Sequence, residues 1–199
     1  MSLVVFTAGD AVERVPASFA ELAADRTLTV GLADDPRRSV SALAAVVAAS
    51  VANGGSLDDA VPGIDWFAEL SDEGRLVRSS PDVLIGLGDG TRVRSTVPSD
   101  AVVGWPVLVG LLADGRRPCA DEWLRYLISS DAARAAAADA LLPSVWATPA
   151  ALGAVPAADR RLLPAPSALE GLQVLDADGA SVASEAVRDA WADRVGDLP

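Results

Sequence analysis

Apolar and polar positions along the chain switch repeatedly between a period of two and a period near 3.6, and the switches set out the elements. Residues 3–6 (LVVF) form a short apolar run closed by Ala8-Gly9-Asp10, which predicts a strand. Residues 16–24 start on Pro16 and place Phe19 three before Leu22, a short helix. Residues 27–32 (TLTVGL) predict a second strand, and Asp34-Asp35-Pro36-Arg37-Arg38 a turn that leaves Asp35 or Ser39 to cap the next helix. Over residues 39–51 the larger side chains Val40, Leu43, Val46, Val47 and Val51 make one stripe among Ala and Ser, so this helix should pack closely on a sheet.

Asn53-Gly54-Gly55 stops that helix. Ser56 with Asp59 resembles a capping box, and Trp66, Phe67 and Leu70 continue an amphipathic helix to Asp72, with Pro62-Gly63 expected to break or kink its early part. After Gly74, residues 75–78 (RLVR) predict a strand, Ser79-Ser80-Pro81 a short helical turn, and residues 84–87 a strand closed by Gly88-Asp89-Gly90. Residues 91–97 alternate as a half-exposed strand, and residues 102–112 form a buried strand interrupted at Gly104 and Pro106. Pro118, Asp121 and Glu122 then open a helix carrying Trp123, Leu124, Leu127 and Ile128. An Ala-rich helix runs from Ser130 to about residue 141, and residues 143–166 form Pro- and Ala-rich coil. A short strand at 172–175 and a helix at 184–195 with Trp191 close the chain. Strands alternating with helices predict an α/β fold with a mixed, mainly parallel sheet and flanking helices. The expected division is a ligand-binding lobe over residues 1–105 and a mainly helical return segment and tail over 106–199.

Composition narrows the chemistry. All 16 basic residues are Arg, and there is neither Lys nor His. Without imidazole there is no Ser-His-Asp or Cys-His nucleophile, and without Lys no Schiff base and no phosphate-loop lysine. A single cysteine, Cys119, can neither form an internal disulfide nor supply a Cys/His zinc site. A net charge of −12 argues against nucleic acid and anionic membrane as partners. No cofactor is expected. The apolar runs are too short to span a bilayer or to act as a signal peptide, so the chain reads as soluble.

Several stretches together resemble the later two thirds of a type 2 periplasmic (extracellular) solute-binding protein of ABC transporters, of the ferric-ion and phosphonate group. The matching stretches are Pro16-Ala17-Ser18-Phe19-Ala20-Glu21-Leu22, the strand and turn over 30–36, Ser39-Val40-Ser41-Ala42-Leu43 and Asn53-Gly54-Gly55. The bulky helix at 66–70, the helix at 120–129 with Trp123, Tyr126, Leu127 and Ser129, and the tail ending on Trp191 are similar as well. The resemblance implies a periplasmic-binding-protein-like lobe plus a partial second lobe, because the family's first half-lobe has no counterpart here. It also implies an extracellular or periplasmic location if the chain belongs to a longer exported protein. The adjacent tyrosine pair that ligates ferric iron is absent, since Tyr126 is the sole tyrosine, so iron is not among the implied ligands.

Candidate site residues are set by strand ends and helix starts. Ser39 and Ser41 open a helix directly after a strand, where free N–H groups and the helix dipole favour an anion; the plainer alternative is that Ser39 caps and Ser41 packs. In the resembled family this position contacts ligand. Arg38, beside Arg37, can pair with a carboxylate or phosphonate, or simply offset local acids in solvent. Ser79 and Ser80 can face the same cleft, or form an ordinary turn. Residues 86–90 lack the spacing of a phosphate loop, and Asp34 with Asp35 make either a carboxylate pair or a solvated turn. Trp105 is an aromatic wall near a hinge or a core residue, and Cys119 has no base to activate it. The expected function is non-enzymatic capture of a small solute, anions among the candidates, between lobes, with a membrane permease as onward partner. The alternatives are a ligand-less sensory or interaction domain of the same fold, able to form a homodimer, and a carboxylate-based hydrolase.

Overall fold

The computed structural model describes residues 2–9, 11–88, 94–105, 119, 121–123 and 171–196. Leu3–Trp105 and Pro164–Pro199 form one compact unit, and Met1–Ser2 with Pro106–Leu163 another. In the second unit the described residues 119 and 121–123 are helical, in line with the helix read from Pro118. The expected segments at 106–112, 130–141 and 143–166 lie outside the described residues, as do residues 91–93 of the expected 91–97 strand and the Asp89-Gly90 turn.

The first unit is a mixed α/β structure. Its sheet contains β1 (Ser2–Ala8), β2 (Val30–Leu32), β3 (Val83–Leu87), β4 (Ser95–Thr96), β5 (Val103–Trp105) and β6 (Gln173–Val174). The strand order is β2-β3-β1-β5-β6, with β4 also paired to β1. β2 runs parallel to β3 and β5 parallel to β6, whereas β1 is antiparallel to both β3 and β4. The expectation of a mainly parallel sheet is therefore too strong. Alternating apolar residues such as Val4, Phe6 and Ala8 point inward whichever way the neighbouring strand runs, so they carry no direction.

Four described helices accompany the sheet: α1 (Phe19–Ala24), α2 (Val40–Ala52), α3 (Val61–Asp72) and α4 (Ala177–Arg194). Pro16 does not start α1. Ser18 caps it instead, accepting from Glu21 N at 3.0 Å while Glu21 accepts from Ala17 N at 2.6 Å. Asp100, distant in sequence, completes the same end by accepting from Phe19 N and Ala20 N.

α2 departs furthest from its expected one-sided stripe. Every residue from 42 to 50 is buried, while Val40 is exposed. The helix touches β3 and β5 on one side and α1, α3 and α4 on others, and a helix apolar all round is what such a position requires. Its alanines and Gly63 let α3 approach until a Cβ added at Gly63 would lie 2.1 Å from Val46 O. The buried Ser50 hydroxyl donates to Asp59 O at the α2–α3 corner.

The Ser56–Asp59 capping box does not form. Ser56 Oγ donates to Asp58, Asp59 accepts from Val61 N, and α3 begins at Val61 with Pro62 in its first turn, where the missing N–H costs nothing. Leu76 makes only an isolated parallel bridge to Val30 in place of the expected 75–78 strand. α4 begins seven residues ahead of the expected start, capped by Asp176, whose carboxylate accepts from Gly179 N at 2.9 Å. Four edge-on or tilted ring contacts join Phe6, Phe19, Trp66, Phe67 and Trp191 through the core, at 4.8 to 5.7 Å between centroids.

Candidate functional site

β2 and β3 are parallel, and chain leaving the carboxyl end of such a pair is where open α/β sheets place ligands. Beyond Leu32 the chain turns sharply and enters α2. Asp34 accepts from Asp35 N, and Asp35 accepts from Arg37 N at 2.9 Å. The Arg37 guanidinium then closes on the Asp35 carboxylate through Nε at 3.0 and 3.1 Å and Nη2 at 2.7 Å. This hydrogen-bonded pairing, ahead of the burial that opposes it, holds the Asp35 carboxyl below its ordinary range. Asp34 and Asp35 therefore build a turn, and Asp35 is neutralised by Arg37. Among the described residues no group of three or more His, Cys, Asp or Glu side chains is placed to hold a metal.

Ser39 caps α2 in an extended conformation, its Oγ accepting from Ala42 N at 3.4 Å and its carbonyl from Leu43 N at 2.9 Å. Among the described residues nothing accepts from Val40 N or Ser41 N, the two amides at the tip of the helix dipole. No acidic side chain occupies this first turn. Arg38 is exposed beside it, with its backbone N–H given to Asp35 O and no side-chain partner among the described residues. Ser41 is half-buried and its Oγ accepts from Leu87 N at 2.8 Å, which pins the start of α2 to the end of β3. Gly86 makes room for this contact, since a Cβ there would lie 2.7 Å from Ser41 Oγ. Ser39, Ser41 and Arg38 thus come together at one strand end.

Ser79 and Ser80 are not joined to them by any hydrogen bond among the described residues. Residues 75–77 run beside β2, with Arg75 O accepting from Val30 N and Val77 N donating to Val30 O. The chain then crosses back, so that Pro81 covers Gly31 and Asp82 reaches Thr29 at the amino end of the β2–β3 pair. Ser79 and Ser80 sit exposed in that crossing turn, Ser80 with φ of 52°. The turn has the left-handed backbone of a tight reversal, and no helix begins there. Trp105, half-buried, packs against the core. Cys119 is exposed and free.

Two anchoring groups carry no local motif. Asp82 accepts from Thr29 N at 2.8 Å and Thr29 Oγ1 at 2.7 Å, and returns its own N–H to that hydroxyl. The side-chain bond from Thr29, then the backbone one, lowers the Asp82 pKa. A folded-state pKa below the unfolded one adds stability that is present above about pH 4 and lost as pH falls through the folded value. Thr29→Val should therefore destabilise the protein by a constant amount at neutral pH, with the gap to wild type narrowing under acid. Urea titrations across the acid range check this, and a gap that widens on acidification would contradict it. The second group is Arg75, buried and bonded to four backbone carbonyls.

A separate open groove of ≈430 Å³ lies between residues 11–16 and α1, rimmed by Glu13, Glu21, Asp25 and Asp82. Arg14 there is paired with Glu21. Its carboxylates disfavour an anion, and none of the five candidate residues lines it. No protein-family model matches the chain, and no curated protein matches it. No helix among the described residues is long and apolar enough to cross a membrane.

Proposed function

We propose that the chain is a non-enzymatic binding domain for a small anionic solute, of the type 2 periplasmic-binding-protein kind, serving an ABC transport system. The observation that carries this reading is the start of α2. Val40 N–H and Ser41 N–H lack acceptors among the described residues, and the exposed Arg38 stands beside them at the carboxyl end of a parallel strand pair. Backbone N–H groups and a helix dipole supply half of an oxoanion site, and a guanidinium supplies charge and a fork of donors. Ser41 keeps the site rigid through Leu87, which lowers the entropy lost on binding. The solute is captured and released unchanged, in keeping with a chain without His or Lys, and a membrane permease is its next acceptor.

Isothermal titration with inorganic phosphate, methylphosphonate and glycine tests the reading. The two oxoanions should bind and the zwitterion should not. Arg38→Ala should weaken binding about tenfold, the loss of one charge-assisted contact. Absence of heat at millimolar oxoanion, or an unchanged affinity in Arg38→Ala, would remove the proposal.

A further inference from the structure

Asn53 is the sole asparagine of the chain, and Gly54 and Gly55 follow it. It forms the C-cap of α2 and is exposed, with φ −105° and ψ 24°. Its side-chain amide nitrogen donates to Ala49 O at 2.7 Å. Its backbone N–H donates to Ala49 O and Ser50 O, and Gly54 N donates to Val51 O at 3.3 Å. Gly54 has φ +86°, and a Cβ added to it would meet nothing within 4 Å. An asparagine beside an unhindered glycine amide, both open to water, is the arrangement in which main-chain nitrogen attacks a side-chain amide.

We propose that Asn53-Gly54 is a self-modification site, at which Asn53 deamidates when the last turn of α2 frays. Gly54 N, deprotonated, attacks Asn53 Cγ. The new C–N bond closes a five-membered imide, the Cγ–Nδ2 bond breaks, and ammonia leaves with a proton taken from solvent. Water then opens the imide at either carbonyl, giving aspartate or isoaspartate. No oxidant or reductant takes part. The hydrogen bonds of the folded cap are the gate, because Nδ2 and Gly54 N, the leaving group and the nucleophile, are both engaged in it. Opening requires only an exposed helix end, the least protected kind of backbone.

The two products differ in what they disturb. Aspartate loses the donor to Ala49 O and places a negative charge at the carboxyl end of the helix dipole. Isoaspartate also lengthens the main chain by one carbon, between Asn53 Cα and Gly54 N, one residue ahead of Gly55. That residue has no slack: Gly55 N donates to Ser50 O at 2.9 Å, and a Cβ on it would lie 2.2 Å from Ser50 Oγ. Isoaspartate therefore displaces the α2–α3 corner that Ser50 and Asp59 hold, and it is the more damaging product.

The full-length chain, incubated in native buffer and in urea at neutral and mildly alkaline pH, tests this by peptide mapping and ammonia release. Conversion at Asn53 is expected in both, faster at higher pH, and slower in the native protein by about tenfold, the cost of opening a capped helix end. Asn53→Gln should abolish ammonia release. Asn53→Asp should lower Tm by about 2–4 °C, with the isoaspartyl fraction of aged protein lower again. The proposal is overturned if native protein keeps Asn53 intact while the unfolded chain converts, if the two convert at one rate, or if Asn53→Gln still releases ammonia.

Discussion

Arg75→Ala is expected to destabilise the first unit by about 3–5 kcal/mol, at the upper end of what one buried bond network contributes. Arg75 is only 6% exposed, and its guanidinium nitrogens donate to Leu22 O and Asp25 O at 2.8 Å, Leu28 O at 3.1 Å and Ala23 O at 3.2 Å. Leu22 and Ala23 lie in the last turn of α1, where carbonyls have no partner within the helix. Alanine would leave these acceptors either unsatisfied or hydrated through a new cavity, each costing roughly 1–3 kcal/mol before relaxation. It would also remove a positive charge from the carboxyl end of the helix dipole. A six-residue helix cannot persist alone, so α1 depends on this group together with the Ser18 and Asp100 caps. Arg75→Lys separates charge from geometry. One ammonium has three donors and cannot serve four carbonyls and Glu73, so lysine should recover less than half of the loss. Urea denaturation gives the magnitudes, and hydrogen exchange at residues 19–25 locates them. A loss under about 1 kcal/mol, or a full rescue by lysine, would contradict this role for the guanidinium.

The sequence shows Arg75 as half of an Arg-Leu-Val-Arg strand, and the reason it misleads is general. A cationic side chain announces its charge, but its acceptors here are backbone carbonyls about fifty residues earlier, which any residue type can present. Elements with a local signature lie closer to expectation. The run at Leu3–Phe6 lies within β1, the Thr27–Leu32 run contains β2, and Ser39 caps α2 as one of two expected candidates. Asn53 and Gly74 stop their helices where expected, Gly74 with φ +67°. The starts of α3 and α4 differ from expectation for local reasons: Ser56 Oγ turns to Asp58 and does not cap, and Asp176 caps α4 through Gly179 N ahead of Ser184.

Of the candidate site, the part around Arg38, Ser39 and Ser41 is legible because a strand end, a turn and a cap are consecutive in the chain. The roles within it are less so. Ser41 needs Leu87 and the bare Cα of Gly86 to explain it, and no period in the sequence links residues so far apart. Ser79 and Ser80 read as facing the same cleft only if residues 75–78 are a full strand ending beside them. With only Leu76 bridged to β2 and Pro81 folded over Gly31, they belong to a crossing turn. Ser79 and Ser80 are thus placed by that exposed turn, and no hydrogen bond among the described residues ties them to Ser39, Ser41 or Arg38.

Trp191→Ala should cost about 3–5 kcal/mol, comparable with Arg75→Ala but by a different mechanism. The indole is 1% exposed and stands at the end of the aromatic series, 5.7 Å from the Phe67 ring. Ala180, Ala183, Val187 and Trp191 form the buried face of α4, and three of these four are small or branched, so the tryptophan supplies most of the apolar area. Polar ties at the same end are fewer: Ser71 Oγ donates to Val195 O at 3.3 Å, and Arg194 pairs with Asp65 on the surface, a contact worth less than about 1 kcal/mol. Removing the ring therefore leaves α4 held chiefly by alanines, while α3 loses a wall beside Phe67. Trp191→Phe, which keeps an aromatic ring against Phe67, should recover more than half of the loss, because the site needs apolar volume and no hydrogen bond to the indole nitrogen is made among the described residues. The urea midpoint should fall with the slope unchanged if the whole unit unfolds together. A drop in slope with exchange confined to residues 177–194 would instead make α4 a separately melting segment.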